Sequence, residues 1–186
     1  MFDFNKKVAL ITGGTTGIGF STAMMMAESG ATVAVAGRRE SKGQKALTRL
    51  KEINKNCIFI AADVSNTATC QQLVQETVSR LGSLDILVNS AGVFMEGPIE
   101  TFSEEENIRV NCVCPGDVLT PMFDKEAARS DDPQDYFEEI QRQYPVGRVG
   151  TPEEVAATIC FLASEVAPFV VGAAWSIDGG LTAFSY

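Results

Sequence analysis

Short apolar runs alternate with helix-like segments through the first half of the chain. The runs are Lys7–Thr12, Thr32–Ala36, Cys57–Ala61 and Asp85–Asn89. Such short, continuously apolar runs are typical of strands that are buried on both faces of a parallel sheet. Helix signals lie between them, over Gly17–Ser29, Glu40–Ile53 and Asn66–Leu81. This order predicts an α/β fold, a doubly wound parallel sheet with right-handed crossovers.

The C-terminal part of the chain carries one more helix and one more strand. Thr151 fits an N-cap and Pro152 the first position of a helix that runs to Ser164, while Ala173–Ile177 predicts a strand. Residues 124–150 are polar and predict a lid or a loop with a short helix. The 186 residues contain no repeat and no low-complexity linker, so we expect a single domain over residues 1–186.

The composition excludes several classes of function. The formal net charge is −9, and an acidic surface repels the phosphates of nucleic acids. The chain has no histidine, which excludes Ser-His-Asp and Cys-His catalysis and zinc sites that need imidazole, and we expect no metal. Five cysteines without a Cys-x-x-Cys motif indicate reduced thiols in the cytoplasm. No apolar run reaches about 18 residues, so we expect no membrane span and no signal peptide.

A glycine-rich segment, Thr12–Gly19, separates the first strand from the first helix. Glycines let the backbone approach a pyrophosphate closely, and a helix N-terminus offers free N–H groups and the positive end of a dipole. A glycine-rich turn without a ligand is the alternative, because such a motif alone is a weak signal. The strand–turn–helix context favours a dinucleotide site.

The spacing Thr-Gly-x-x-x-Gly-x-Gly in this segment resembles the short-chain dehydrogenase/reductase family. Further motifs that resemble the family follow in the same order, and they are Asp63-Val64, Asn89-Ser90-Ala91-Gly92, Ile108–Asn111 with Cys114-Pro115-Gly116, Gly147–Glu154 and Ile177–Gly180. The resemblance covers essentially the whole chain. It implies a Rossmann-type, three-layer α/β/α fold. It also implies hydride transfer between a nicotinamide and a small-molecule carbonyl or secondary alcohol, and a homotetramer or dimer.

The resemblance also assigns roles along the cofactor. It implies that the pyrophosphate lies on Gly13–Gly19, the adenine at Asp63-Val64, the nicotinamide ribose near Asn89–Gly92, and the carboxamide at Val118 and Thr120. Residues 117–150 would close over the substrate. The candidate cofactor-binding residues are Gly13, Thr15, Thr16, Gly17, Ile18, Gly19, Arg38, Asp63, Val64, Asn89, Ala91, Gly92, Pro115, Gly116, Val118 and Thr120.

The end of the second predicted strand decides the choice between NADP(H) and NAD(H). An acidic side chain there hydrogen-bonds the ribose 2′-OH of NAD, whereas an arginine pairs with the 2′-phosphate of NADP. Gly37 stands where NAD-preferring relatives carry Asp, and Arg38 follows it. We therefore favour NADP(H) over NAD(H). The alternative is that Arg38 and Arg39 are solvated and pair with Glu40 or Glu28.

The catalytic residues that the resemblance implies are missing. The family uses a Ser, a Tyr, and a Lys four residues after that Tyr. The chain contains no Tyr-x-x-x-Lys. Tyr144 has Arg148 four positions on, but Pro145 and Gly147 prevent a regular helix between them, and an arginine does not titrate as a lysine does. No catalytic residue can therefore be named from this sequence.

The missing catalytic residues belong to one region of the family pattern. After Asn89–Gly92 the family continues through a helix, a fifth strand and a second helix, roughly 50 residues in all. Here Phe102–Glu106 resembles the start of the first of these helices, and Asn107–Asn111 already resembles the sixth strand. We therefore expect the fifth strand and its flanking helices to be absent, with the junction near Glu106 and Asn107.

Two interpretations of this junction stay open. If the natural polypeptide contains residues here that this sequence omits, which we favour, the protein is an oxidoreductase. The structure should then show an empty lane about 9–10 Å wide between Ile86–Asn89 and Ile108–Cys112. If the deletion is real, those strands should pair at about 4.8 Å, and the chain is a dinucleotide-binding protein without turnover, or a fragment that does not fold stably. Cys112 and Cys114 lie on this strand and are interpreted as small buried side chains.

Overall fold

The computed structural model describes residues 2–91 and 109–184, apart from the side chain of Phe184. The strands are β1 (Val8–Thr12), β2 (Thr32–Gly37), β3 (Ile58–Ala61), β4 (Ile86–Asn89), β5 (Cys112–Pro115) and β6 (Ala174–Ile177). The helices are α1 (Gly17–Glu28), α2 (Glu40–Ile53), α3 (Thr67–Leu81), α4 (Pro121–Ala127), α5 (Pro133–Gln143) and α6 (Pro152–Ala163). A 3-10 turn, Thr182–Phe184, ends the described part of the chain.

All the strand pairs are parallel, as the apolar runs predict. One sheet has the order β3-β2-β1-β4, and β5 pairs with β6 in a second sheet. The chain moves from β1 outwards to β3 and then returns to place β4 on the other side of β1. The strand order therefore reverses between β1 and β4, which confirms the doubly wound fold and puts a crevice at the carboxyl ends of these two strands.

Alternate residues of the strands pack into two cores on opposite faces of the sheet. Ile11 and Val35 point towards α1, α2 and α6, where Met26, Leu50 and Cys160 are buried. Leu10, Ala34 and Ile60 point towards α3, where they pack with Leu73. These two helical layers with the sheet between them form the three-layer arrangement. The five residues of β1 are all buried, which explains why its sequence is continuously apolar.

The strand expected at Ile108–Cys112 is displaced, since β5 begins only at Cys112. The reason lies in two polar side chains before it. The guanidinium of Arg109 donates to the carbonyls of Leu162, Ser164 and Ala167 at the C-terminal end of α6. The side-chain amide of Asn111 bridges the Val170 carbonyl and the Ala173 amide. These residues anchor the chain to the segment after α6 and thereby position β5 beside β6.

Neither β4 nor β5 has a second strand neighbour within the described ranges. β4 is hydrogen-bonded to β1 alone and β5 to β6 alone. Leu87 stands beside Leu10 in the register and is 52% exposed, so the described residues do not cover it. β4 and β5 therefore do not form the direct pair that is expected for a real deletion. Cys112 and Cys114 are exposed, so the prediction that they are buried is wrong.

The polar region 124–150 is more regular than the single short helix predicted. Thr120 caps α4 by accepting a hydrogen bond from the Phe123 amide, and Asp132 caps α5 by accepting from the amides of Gln134 and Asp135. Phe123 is buried with Tyr144 and Val149 in a small core of its own. A lid role for residues 117–150 stays a prediction.

The expected junction residues, Glu106 and Asn107, lie outside the described residues, as does Gly92. None of the helices in the described ranges is both long enough and apolar enough to span a bilayer.

Candidate functional site

The glycine-rich turn after β1 packs against the end of β4. Gly13 has a φ of 66°, and a Cβ there would lie 2.7 Å from the Ser90 carbonyl oxygen. A Cβ on Gly19 would lie 2.7 Å from the Gly13 carbonyl oxygen. Both contacts are with backbone atoms, which cannot move aside easily. The two positions therefore require glycine, because any side chain would clash with the backbone there. We call the closely packed turn that they form, Gly13–Gly19, the cradle.

The start of α1 offers free hydrogen-bond donors. The amides of Gly17, Ile18 and Gly19 find no acceptor among the described residues. The Thr16 side chain does not cap the helix, and its first turn carries no acidic residue. These amides and the positive end of the helix dipole are suited to a phosphate group. The helix expected over Gly17–Ser29 is thus confirmed, with Ser29 as its C-cap.

The end of β4 is fixed beside this turn by Thr12. The Thr12 hydroxyl oxygen accepts hydrogen bonds from the amides of Ser90 and Ala91, at 3.3 and 3.2 Å. Asn89 and Ala91 are exposed at the carboxyl end of the strand. Two separate motifs of the sequence therefore meet at the point where the strand order reverses.

The end of β2 carries an exposed positive charge. Arg38 and Arg39 form no ion pair within the described part of the chain, and the Glu40 carboxylate accepts a hydrogen bond from Gln44. The pairing with Glu40 or Glu28 that was the alternative is thus not formed. A Cβ on Gly37 would lie 3.0 Å from the Thr15 side chain, so Thr15 occupies the space beside this glycine.

Asp63 follows the end of β3 and lies near Arg38, because Gly37 stands beside Ala61 in the register and its carbonyl accepts from the Ala62 amide at 3.2 Å. Hydrogen bonds from Ser65 lower the pKa of the Asp63 carboxyl, and the charge of Arg38 lowers that pKa further. Val64, the next residue, packs against the core on the α3 side. Arg38 and Asp63, the candidate residues for the adenosine half of a dinucleotide, therefore lie close together.

The remaining candidate residues lie in the turn after β5. Pro115 and Gly116 end the strand, and Val118 is buried where it forms a β-bridge with Gly150. A Cβ on Gly17 would lie 3.4 Å from the methyl carbon of Thr120, so Thr120 stands directly against the glycine-rich turn. Sequence motifs more than 100 positions apart are thus neighbours, since Gly17 and Thr120 are separated by 120 − 17 = 103 positions.

An ion pair with a helix cap holds the segment that supports this turn. Arg148 donates to both carboxylate oxygens of Glu154, at 2.9 and 2.7 Å, and Glu154 accepts from the Thr151 amide at 2.8 Å. The hydrogen bonds from Arg148, and then that from Thr151, lower the pKa of Glu154 from 4.5 to about 2. Arg148 is therefore the partner of Glu154 rather than of Tyr144, as the helix-breaking residues between them indicate.

We expect Glu154→Gln to lower the free energy of unfolding by about 1 kcal/mol at neutral pH, a small value because both side chains are about half exposed. A depressed carboxyl pKa stabilises the fold above the ordinary value of 4.5 and loses this contribution as the pH falls towards 2. The difference in melting temperature between wild type and variant should therefore decrease as the pH is lowered from 4.5 towards 2. Glu139→Gln, an exposed residue of α5, is the control, and an equal shrinkage there would contradict the assignment.

Two models of known families match this chain. The model described as short chain dehydrogenase matches residues 7–107, and the model described as enoyl-(acyl carrier protein) reductase matches residues 101–182. The chain belongs to the short-chain dehydrogenase family. The first match alone covers more than half of the 186 residues.

Relatives match nearly the whole length of this chain. An uncharacterized oxidoreductase of Thermotoga maritima is 30% identical over 251 residues, which covers 97% of this chain and 99% of the relative. Mouse L-fucose dehydrogenase is 27% identical, with 95% and 89% covered. The structure of L-sorbose reductase from Gluconobacter frateurii, complexed with NADPH and L-sorbose, is 25% identical with a TM-score of 0.85, and 97% and 98% of the two chains are covered.

The alignment with the Thermotoga protein is longer than this chain. At least 251 − 186 = 65 of its positions are occupied by the relative alone. The two family matches meet at residues 101–107, the region in which the sequence analysis places the missing segment. The exact junction stays a prediction.

Proposed function

We propose that this chain binds NADP(H) and is the cofactor-binding part of an oxidoreductase that acts on a small-molecule carbonyl or secondary alcohol. The observation that carries the proposal is the cradle at the start of α1, where free amides face a turn that only glycines can form. When bound, the nicotinamide supplies or accepts the hydride. The chain's own residues bind and orient the dinucleotide.

The residues that would hold the cofactor form a row along the carboxyl ends of the strands. Arg38 and Asp63 would bind the adenosine half, and the amides of Gly17–Gly19 the pyrophosphate. Asn89 and Ala91 would contact the nicotinamide ribose. By the family resemblance Val118 and Thr120 would contact the carboxamide, and Thr120 lies beside the cradle at Gly17. The order of these sites matches the order of the groups along a dinucleotide.

The preference for NADP(H) rests on the charge at the end of β2. Position 37 has no carboxylate to accept from a 2′-OH, and the Arg38 side chain is exposed and forms no ion pair with the described residues. A guanidinium can donate two parallel hydrogen bonds to a phosphate. The structure of L-sorbose reductase, which is complexed with NADPH, supports this choice.

We expect Arg38→Asp to weaken NADP(H) binding by about 10- to 100-fold and to strengthen NAD(H) binding. The 2′-phosphate loses a charge-assisted donor worth about 1.5–3 kcal/mol, while the 2′-OH gains an acceptor. Titration of both cofactors by calorimetry measures the change. Arg39→Asp, with the same change of charge one residue further on, is the matched control. Unchanged affinities for both cofactors in Arg38→Asp would show that Arg38 is merely solvated.

A second function is favoured by one specific observation, the absence of Tyr-x-x-x-Lys from the 186 residues. On this proposal the protein is a dinucleotide-binding family member, or a truncated isoform, that holds the cofactor without turnover. The two proposals agree on binding and differ on hydride transfer. Assay of turnover and measurement of the intact mass separate them.

The substrate and assembly proposals come from the relatives and the family. L-fucose dehydrogenase and L-sorbose reductase support a small-molecule alcohol or carbonyl substrate. We propose that residues 117–150 close over it. We also propose a cytoplasmic homotetramer or dimer, which light scattering coupled to size-exclusion chromatography would test through the mass of the particle.

A further inference from the structure

Tyr144 lies between the turns that follow β5 and β6. Its side chain is 4% exposed and packs in the small core with Phe123 and Val149. A Cβ on Gly116 would lie 2.9 Å from the tyrosine ring and from its hydroxyl oxygen, and a Cβ on Gly179 would lie 3.3 Å from the ring. In both turns the position that faces this ring is therefore occupied by a glycine.

The Tyr144 hydroxyl is joined to Asp117 by two hydrogen bonds. It accepts from the Asp117 amide at 2.7 Å and donates to the Asp117 carboxylate at 2.8 Å. One hydroxyl thus fixes both the backbone and the side chain of a single residue. The Asp117 carbonyl in turn accepts from the Gly150 amide at 2.9 Å, and the Gly150 carbonyl accepts from Leu119 at 3.0 Å. Asp117 is therefore held from both sides.

These contacts determine the position of the next residues in the chain. Val118 directly follows Asp117, and Thr120, two residues after Val118, is the N-cap of α4. Both are candidates for contact with the nicotinamide carboxamide. Arg38, Asp63 and the glycine-rich turn are built on other strands and do not touch Tyr144. A change at the Tyr144 hydroxyl should therefore affect one end of the dinucleotide site.

We propose that Tyr144 is a positioning residue for the nicotinamide half of the cofactor, acting through Asp117 on Val118 and Thr120. This inference rests on the proposed binding of a nicotinamide dinucleotide. Tyr144 does not itself exchange a proton with a substrate, because its hydroxyl is buried and is occupied by Asp117. Burial also raises the pKa of Tyr144, which keeps the hydroxyl protonated at neutral pH.

The test compares two ligands that share the adenosine half. NADPH has both halves, whereas adenosine 2′,5′-bisphosphate has no nicotinamide. We expect Tyr144→Phe, which keeps the ring and loses two hydrogen bonds, to weaken NADPH binding about five- to tenfold. Binding of adenosine 2′,5′-bisphosphate should stay within about twofold. Calorimetry gives both affinities, and the emission of bound NADPH reports the surroundings of the nicotinamide.

Tyr136→Phe is the matched control, since Tyr136 packs against the same small core and its hydroxyl makes no hydrogen bond among the described residues. It should leave both affinities unchanged. A general loosening of the fold would weaken the binding of both ligands alike. Only a loss of NADPH affinity without a similar loss of adenosine 2′,5′-bisphosphate affinity therefore supports the inference. Equal NADPH affinity in Tyr144→Phe and wild type would overturn it.

A second variant keeps the test decisive if Tyr144→Phe does not fold. Asp117→Ala removes the acceptor of the tyrosine hydroxyl and leaves the ring in place, and the same split between ligands is expected. An Asp117→Ala protein that binds NADPH as wild type does would overturn the inference. If wild type binds neither ligand, the proposed function itself fails, which is a distinguishable outcome.

Discussion

Replacing Gly13 with alanine is expected to weaken dinucleotide binding by at least about 100-fold and to lower the free energy of unfolding by about 2–4 kcal/mol. Two costs add at this position. The backbone has a φ of 66°, which residues with a Cβ adopt at a penalty. The new Cβ would also lie 2.7–2.8 Å from backbone atoms of Ser90 and Ala91. The turn and the end of β4 must then separate, which displaces the pyrophosphate cradle.

The Gly82→Ala variant carries the penalty of a positive φ without a clash of the new Cβ, and so separates the two effects. Gly82 ends α3 with a φ of 91°, and a Cβ there would meet no atom within 4 Å. We expect a loss of about 1 kcal/mol in the free energy of unfolding and unchanged binding. Denaturant unfolding and NADPH titration of both variants provide the comparison. A Gly13→Ala protein that loses no more stability than Gly82→Ala, and still binds NADPH, would contradict the close packing of the turn.

The first four strands could be predicted to within about one residue, most directly β1 and β2, whose interiors are buried on both faces. An apolar run such as Val33–Ala36 has one explanation in a chain of this composition, and glycines or caps mark the helix ends beside it. β5 could not be predicted in the same way. Its start depends on Arg109 and Asn111, which bind carbonyl groups more than 50 positions away, and no local pattern records such contacts.

The exposure of Cys112 and Cys114 has a similar physical cause. The two residues share one face of a strand, as predicted, but burial depends on what covers that face. Although α6 lies near β5, none of the described residues covers the face that carries the two cysteines. The helices α4 and α5 were underestimated although the sequence carried their signals. Thr120-Pro121 and Asp132-Pro133 each place an N-cap before a proline, as Thr151-Pro152 does for α6.

The candidate site was predictable in parts but not as an assembly. Each motif could be placed at the end of a strand, and the parallel order implied that these ends share one edge of the sheet. That Thr120 lies against Gly17, or that Arg38 lies near Asp63, needed the structure. Tyr144 was recognised only as unsuited to catalysis. Its hydrogen bonds to Asp117 span 27 positions and leave no periodic trace in the sequence.

The 186-residue chain is expected to bind NADPH and to show no hydride transfer above the background rate with sugar or other small carbonyl substrates. The sequence has no Tyr-x-x-x-Lys to move a proton, and the Tyr144 hydroxyl is held by Asp117. Loss of proton transfer and of substrate polarisation costs several orders of magnitude in rate. The absorbance of NADPH follows the reaction, with mouse L-fucose dehydrogenase and its own substrate and cofactor as the positive control. Turnover by a protein of 20.0 kDa would contradict this expectation.

The intact mass of the protein from its natural source then decides between the two proposed functions. A mass several kilodaltons above 20.0 kDa would place further residues between the two family matches, and such a polypeptide should turn over NADPH. Those residues would also give β4 and β5 a common neighbour, so amide exchange at Leu87 should be slower in the longer protein. A natural mass of 20.0 kDa would instead establish a real deletion. Such a protein would hold a dinucleotide and would not be an oxidoreductase, because it has no Tyr-x-x-x-Lys to complete the proton transfer that accompanies hydride transfer.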